Sequence, residues 1–269
     1  MPAVYELLNT WFCCEYTARE CGWGMRDMHY HLSHELFVMM SGRTSIMSEN
    51  KIIPVEKGDV VLFKKHKLHK NNGGTEHGRY AVNFSDKYLN TYFTEKASIA
   101  LMRCFDHEKI SIPPQKLGYV SAILKKMESG NDEFAYLAVL LSILDVFAHN
   151  DESARTDGNQ EDVNSILEFI NKNYSTINGI EEIAEAVHTS KSYLCQKFKR
   201  ETNMTVTEYL NSVRIKNACA MLEEGRYNVT ETALNCGYST SSYFCKMFKS
   251  IVDMTPHEYK RYTENVRDI

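Results

Sequence analysis

The chain lacks an apolar run long enough to cross a membrane. Its longest, Phe134 to Leu144, is interrupted by Ser142 and followed by Asp145, well short of the roughly 20 residues a spanning helix needs. The opening residues, MPAVYELLNTWFCCEY, show neither a basic stretch ahead of an apolar core nor a small-residue cleavage site. The expectation is a cytoplasmic protein with no membrane partner. Positive charge is also scarce: the net charge is -4. Residues 161 to 269 hold 13 Lys and Arg against 15 Asp and Glu, which excludes a generally basic, nonspecific coat for nucleic acid. Any contact with DNA must come from local clusters: Lys191, Lys197, Lys199 and Arg200, then Lys246 and Lys249, then Lys260 and Arg261. The eight cysteines contain no CxxC pair and no regular spacing, and read as reduced thiols in packed positions. A redox sensor at Cys13, Cys14 or Cys21 is the less favoured alternative. A phosphate loop, a nucleophile elbow and a second acid/base constellation are missing too.

What the chain does have is a repetition. SYLCQKFKRETNMTVTEY, Ser192 to Tyr209, returns fifty residues later as SYFCKMFKSIVDMTPHEY, Ser242 to Tyr259, with half of the paired positions identical. Ahead of each copy stands a short amphipathic stretch, IEEIAEAV from Ile180 and VTETALNC from Val229, offset by one residue in the turn. Each opens with a capping-box spelling, Asn178 with Glu181 and Asn228 with Glu231. Gly237 follows the second stretch, where a left-handed backbone is needed. The unit is helix, tight turn, helix, and there are two. Between them the pattern predicts a long helix over about 206–223, with Leu210, Val213, Ala218 and Leu222 inward. At 1.5 Å per residue it runs roughly 27 Å, close to the ~34 Å between successive major-groove faces.

These residues resemble the C-terminal domain of AraC/XylS-type bacterial transcription regulators: Cys236-Gly237-Tyr238-Ser239, Ser242-Tyr243-Phe244, Phe248-Lys249 and Thr255-Pro256-x-x-Tyr259-Lys260. The resemblance covers roughly the last hundred residues. Thr232 and Cys236 stand where the family favours aliphatics, and Lys260 where it favours arginine. The resemblance implies a double-stranded DNA partner, a homodimer and contact with RNA polymerase. In the first unit helical spacing turns Tyr193, Leu194 and Phe198 inward and leaves Lys191, Ser192, Cys195, Gln196 and Lys199 outside. By the resemblance Ser192, Cys195 and Gln196 face bases, and Gln196 can pair bidentately with adenine. The matching face of the second unit offers Ser241, Ser242, Cys245 and Lys246, with Lys249 beside them; Lys246 can reach guanine or a phosphate. Arg214 matches a family position that either ties the units together or touches phosphate.

From Trp11 to about Phe84, short β-branched and aromatic runs alternate with turns at Gly42, Asn50, Gly58-Asp59 and Asn71-Asn72-Gly73-Gly74, as in an antiparallel sandwich or barrel. Within them Gly24, His29-x-His31, Glu35 and Gly42, then Gly58-Asp59 with His69 ten residues on, resemble the paired motifs of the cupin barrel. Lys64 and His66 stand where its second motif has proline and glycine, and its late asparagine is not matched. Alternation puts His29 and His31 on one face of a strand. The resemblance then implies a pocket of His29, His31, Glu35 and His69. Three readings stay open for it: a divalent metal site, a metal-free pocket for a small-molecule effector, or structural histidines. His34, His66 and His77 are expected in solvent. After Asp86 the texture is helical. One helix stands behind Pro113-Pro114 and ends near Gly130, and another, Phe134 to about Ala148, is apolar on two stripes, the second of them Leu140, Ile143 and Phe147, with one side for the barrel and the other for a dimer contact or an intramolecular helix.

The expected fold class is α+β in two domains. Residues 1–150 form an antiparallel cupin-like β-barrel with following helices, 151–160 (NDESARTDGNQ starts at Asn150) a linker, and 161–269 an all-α domain with two helix-turn-helix units. The implied function is a sequence-specific DNA-binding transcription regulator, not an enzyme, with an effector-sensing barrel. The runner-up is a metal-dependent cupin enzyme with a DNA-binding appendage, and a third reading is a regulator controlled by a protein partner or thiol oxidation.

Overall fold

The computed structural model describes residues 11–150 and 161–267, apart from positions 26, 32, 50 and 131. The expected turn residue Asn50 and the linker 151–160 lie outside the described residues. Strands β2 (His34–Ser41) and β5 (Asp59–Phe63) are buried almost throughout, as strands covered on both faces must be. On one face Phe37, Met39, Val61 and Phe63 meet Ile46, Ile53 and Val55. On the other Leu36, Val38, Val60 and Leu62 meet helices.

These strands belong to a five-stranded antiparallel sheet with β1 (Phe12–Arg19), β7 (His77–Phe84) and β8 (Lys109–Ser111), in the order β1-β7-β2-β5-β8. The second sheet has three strands, β4 (Ile52–Glu56), β3 (Arg43–Ser48) and β6 (His69–Gly74), in the order β4-β3-β6. The expected barrel is therefore corrected to a two-sheet sandwich. The free edge of β5 that would have closed a barrel is taken by β8. Asn71 to Gly74 is not a turn either. It lies within β6, where Gly73 at φ 95° takes up a register shift against β3, and the Asn71 Oδ1 accepts from Gly73 N and Thr44 Oγ1, both at 2.7 Å.

Helices α1 (Asp86–Tyr92) and α2 (Glu95–Leu101) start at Ser85 and Thr94, whose side chains cap them. Helix α3 (Pro114–Glu128) has proline in its first turn and buries Val120, Ile123, Leu124 and Met127. In α4 (Glu133–Asn150), Leu137, Leu140, Leu141, Leu144 and Ala148 all join the core beneath the five-stranded sheet. Leu140 of the second stripe is thus covered within the chain, with Ile143 and Phe147 packed against the same core, while Val139 and Val146 remain 40% and 57% exposed.

The C-terminal part is helical: α5 (Glu161–Asn173), α6 (Ile180–Ala186), α7 (Lys191–Thr202), α8 (Val206–Glu224), α9 (Val229–Asn235), α10 (Ser241–Val252) and α11 (Pro256–Arg267). Most of the repeated letters turn out to be cores and caps, while Ser192, Tyr193 and Lys199 and their counterparts lie outside. Phe198 and Phe248, and Tyr209 and Tyr259, are fully buried. Thr205 with Glu208 makes a reciprocal capping box at the start of α8, and Thr255 with Glu258 bonds the same way ahead of α11. Helix α8 serves both units, giving Val206, Tyr209 and Val213 to the first core and Ile215, Ala218, Cys219 and Leu222 to the second. The first core also takes in Met28, Met47, Ile52 and Leu68, so the outer face of the three-stranded sheet rests on the first helix-turn-helix unit.

Candidate nucleic-acid interface and sensor site

Each helix-turn-helix unit is fixed by its turn. Ala184 O accepts from Thr189 N at 2.9 Å, and Ala233 O from Tyr238 N at 3.0 Å. The left-handed residue between is His188 at φ 54° in the first unit and Gly237 at φ 80° in the second. The one-residue slippage read from the sequence falls just after this turn, between Thr189 or Tyr238 and the caps Ser190 and Thr240. The first expected capping box is corrected. Helix α6 starts after Gly179 without a side-chain cap, so the frame moves by one residue and Glu182 Oε2 accepts from the Asn178 N–H at 3.1 Å. Glu181 instead pairs with Lys191 at 2.6 Å. The second box, Asn228 with Glu231, forms as read.

The outward faces of α7 and α10 match position by position: from 192 to 200, each residue has the same degree of burial as its partner fifty residues on. Ser192, Gln196 and Lys199 are exposed, as are Ser242, Lys246 and Lys249. Cys195, Cys245 and Ser241 are half-buried, so they lie at the margin of that face. Tyr193 is not inward: it is 50% exposed, and its counterpart Tyr243 is 46% exposed. The Tyr193 ring lies 5.7 Å from Lys197 Nζ, and the Tyr243 ring 5.9 Å from that of Tyr238. The repeated Ser-Tyr pair carried this signal, since an aromatic left outside twice is hard to ascribe to packing.

Arg214 ties the units together. Its Nε donates to Tyr174 O at 2.8 Å, its Nη2 to Ile177 O at 2.6 Å, and its guanidinium lies 5.4 Å from the Tyr238 ring. A side chain so committed is unavailable to phosphate. The family departures are absorbed locally: Thr232 Oγ1 donates to Asn228 O at 2.9 Å, the Cys236 thiol lies 3.8 Å from Met221 Sδ, and Lys260 Nζ reaches Tyr227 O at 3.4 Å.

The N-terminal site assembles between the sheets. Residues 22 to 31 run along the edge of β6, where His29 and His69 exchange backbone hydrogen bonds at 3.0 and 2.9 Å. This brings His29, His31 and His69 together, with one ring nitrogen of each within 4.8 Å of the others. Glu35 Oε2 lies 2.9 Å from His31 Nε2 and 3.2 Å from His69 Nε2. Burial pushes the Glu35 carboxyl up, but the hydrogen bonds and charges of His31 and His69 more than offset it and hold it well below the usual carboxylate range. Burial, then the neighbouring His69 and His31, lowers His29 well below an ordinary imidazole, so it is a neutral nitrogen donor. The His69 ring stacks on Phe63 at 3.8 Å, and its Nδ1 lies 2.8 Å from Lys67 O. His29 Nδ1 and His31 Nδ1 are buried without partners. Arg79 was not foreseen: it lies 3.9 Å from Glu35 and over the Phe37 ring.

The other histidines are corrected. His34, on a strand covered on both faces, is buried and lies 2.8 Å from Asp86. His77 is buried with Nδ1 2.8 Å from Thr75 O. His66, at φ 66°, lies 3.6 Å from Glu223. The thiol alternative weakens: burial, then Glu15, raises Cys13, and burial with Glu128 and Cys13 pushes Cys14 up to about 12, the opposite of a reactive thiolate.

A family model for a helix-turn-helix domain matches residues 183–262. The Msm operon regulatory protein of Streptococcus mutans is 27% identical over 103 residues, covering 38% of this chain and 37% of that protein. The melibiose operon regulatory protein of Escherichia coli strain K12 is 23% identical over 265 residues, covering 90% of this chain and 86% of its own length. Apo ToxT from Vibrio cholerae is 16% identical with a TM-score of 0.40, covering 94% of this chain and 98% of that one. The matched segment runs from the middle of α6 into α11, across both copied units and the arginine that joins them, and identifies residues 183–262 as a helix-turn-helix domain.

Proposed function

We propose that the chain is a one-component regulator in which residues 1–150 sense a small-molecule effector and residues 161–269 carry the response to double-stranded DNA, joined by 151–160. The observation that carries this reading is the position-by-position match of the outward faces of α7 and α10. Set at the two ends of a 19-residue helix about 28 Å long, they suit two successive major grooves on one side of a duplex. Lys191, Ser192, Cys195, Gln196 and Lys199 then serve one groove, and Ser241, Ser242, Cys245, Lys246 and Lys249 the next. Gln196 and Lys246 read bases, while Lys199, Lys249 and the phenols of Tyr193 and Tyr243 hold phosphates.

The effector site is His29, His31, Glu35 and His69. Its three clustered ring nitrogens, two of the histidines carrying an orphaned buried nitrogen, fit a divalent transition metal. An ion held there would supply a Lewis-acidic charge for oxygen atoms of an effector. We read the site as a sensor and not as a catalytic centre, because Glu35, the base it would offer, is already held by His31 and His69. The exposed Val139 and Val146 of α4 suit a homodimer, RNA polymerase is proposed as a partner on the resemblance of the helix-turn-helix units alone, and a cytoplasmic location follows from a DNA target. Among the described residues no helix is long and apolar enough to cross a membrane.

The test is selection of bound duplexes from a random library with the full chain. The expected product is a bipartite element whose halves lie about one helical turn apart; enrichment of a single half, or none, would sink the reading.

A further inference from the structure

Residues 28 to 31 lie where the two parts of the chain meet, and their side chains alternate across the boundary, as the period of an extended backbone requires. His29 and His31 enter the sandwich, with ring centroids 4.9 Å apart and 4.4 and 5.2 Å from His69. Met28 and Tyr30 leave it. Met28 joins the core of the first helix-turn-helix unit, and Tyr30 packs against the cores of both units. The Tyr30 hydroxyl is sealed from water and lies beside the Cys219 thiol of α8 and the Tyr259 phenol of α11. Its ring meets His66 edge-on at 6.1 Å. His66 faces Glu223, and Glu223 accepts a hydrogen bond from Tyr259.

One short segment therefore carries site histidines on one side and, on the other, a wedge set between the two DNA-binding units. Its backbone is pinned on both sides of Tyr30: His29 pairs with His69 of β6, and His31 O accepts from His66 N, in the turn ahead of β6, at 2.7 Å. A shift of His29 and His31 cannot leave Tyr30 in place. We propose that Tyr30 couples occupancy of the histidine site to the setting of α8 against α11, and so to the spacing of the two DNA-reading helices. The inference rests on His29, His31, Glu35 and His69 being the binding site. One of the other contacts across the boundary serves as a control. Lys216 pairs with Glu49 at 2.6 Å, Glu49 O accepts from Tyr209 and Asn171, and Glu49 Oε1 accepts from Leu68 N, so this contact involves none of the rings of His29, His31 and His69.

Coupling of this kind requires that the ligand distinguish two settings of the joint, and it acts equally from either end. The experiment uses the full chain, Zn(II) alone as probe, and hydrogen exchange in residues 206–224 and 256–267. Zinc should change exchange there severalfold in the unaltered protein. Tyr30→Ala and Tyr30→Leu should bind zinc within about threefold of the unaltered protein, since the ligands are intact, yet lose that change. Lys216→Ala should keep it. Tyr30→Leu, which still fills the wedge, guards against a trivial loss of fold. A zinc response surviving in both Tyr30 variants overturns the coupling. If the unaltered protein binds no zinc, the metal reading of the site fails, and the coupling is judged from the other end. A duplex enriched from the random library must then slow exchange in residues 28–31 and 69–74 of the unaltered protein but not of Tyr30→Leu, and no slowing overturns it.

Discussion

The first helix-turn-helix unit leans on the N-terminal sandwich through Met28, Met47, Ile52 and Leu68, whereas the second meets it at Tyr30 and His66. The two share their buried rings, the capping threonine and glutamate, and the left-handed residues that end their reading helices, Asn203 at φ 54° and Asp253 at φ 63°. They differ where each faces something other than itself: the turn, the base-facing side and the sandwich. The copies keep the caps and core rings and also Ser192, Tyr193 and Lys199 on the outward face, as Ser242, Tyr243 and Lys249, while Gln196 and Lys246 differ there.

The turn offers the largest effect with which to break that comparison. A Cβ on Gly237 would stand 2.5 Å from Ser175 O and 2.9 Å from Arg214 Nη2, at φ 80°. Gly237→Ala is therefore expected to destabilise the helical domain by about 3 kcal/mol, read from urea unfolding followed by circular dichroism. The equivalent His188 already holds a left-handed angle, so His188→Gly relieves strain while loosening the unfolded chain and should stabilise by about 0.5 kcal/mol. Equal losses from both changes would show that the turns are not equivalent.

On the reading faces, Gln196→Ala and Lys246→Ala should each erase about 1–3 kcal/mol of discrimination, and in different halves of the bound element. Lys199→Ala and Lys249→Ala should instead weaken all duplexes alike and lower the salt slope by about 1. Selection and salt titration with the four variants separate the two kinds of residue. Loss of preference in the same half from Gln196→Ala and Lys246→Ala would contradict the placing of one unit per groove.

The tandem units were legible because most of their identities fall on caps and core rings, whose spacing is dictated by local geometry. The sandwich was misread as a barrel because closure is decided by β8, three residues with no alternation to announce them. His34 and His77 look like surface residues on composition, yet they sit on strands of the central sheet, where each finds a partner within the chain. Tyr193 was placed inward by helical period alone, which says nothing about whether another helix lies opposite. The site histidines could be paired from strand alternation and family spacing, but Arg79 comes from a strand more than forty residues away from Glu35. Tyr30 was invisible for a related reason: its meaning depends on a second domain docking against it.

The smallest effect is the sharpest test of how far the copies diverge. Asn228 accepts from Glu231 N at 2.9 Å, and Glu231 Oε2 accepts from Asn228 N at 2.8 Å, so two orphan donors of α9 are satisfied reciprocally. Asn228→Ala should cost about 1 kcal/mol. Asn178 holds the corresponding letter, but its side chain donates to Thr176 O at 3.0 Å and the helix starts one residue later, at Gly179. Asn178→Ala should therefore change stability by less than about 0.5 kcal/mol. Both numbers come from the same unfolding measurement, and because each asparagine precedes the first helix of its unit, context is nearly held constant. A cost at Asn178 as large as that at Asn228 would mean that the first helix begins where the letters suggest and that the frame has not moved. The Glu181–Lys191 pair would then have to give way, since Glu181 cannot both close a box on Asn178 and hold the lysine that opens the first reading helix.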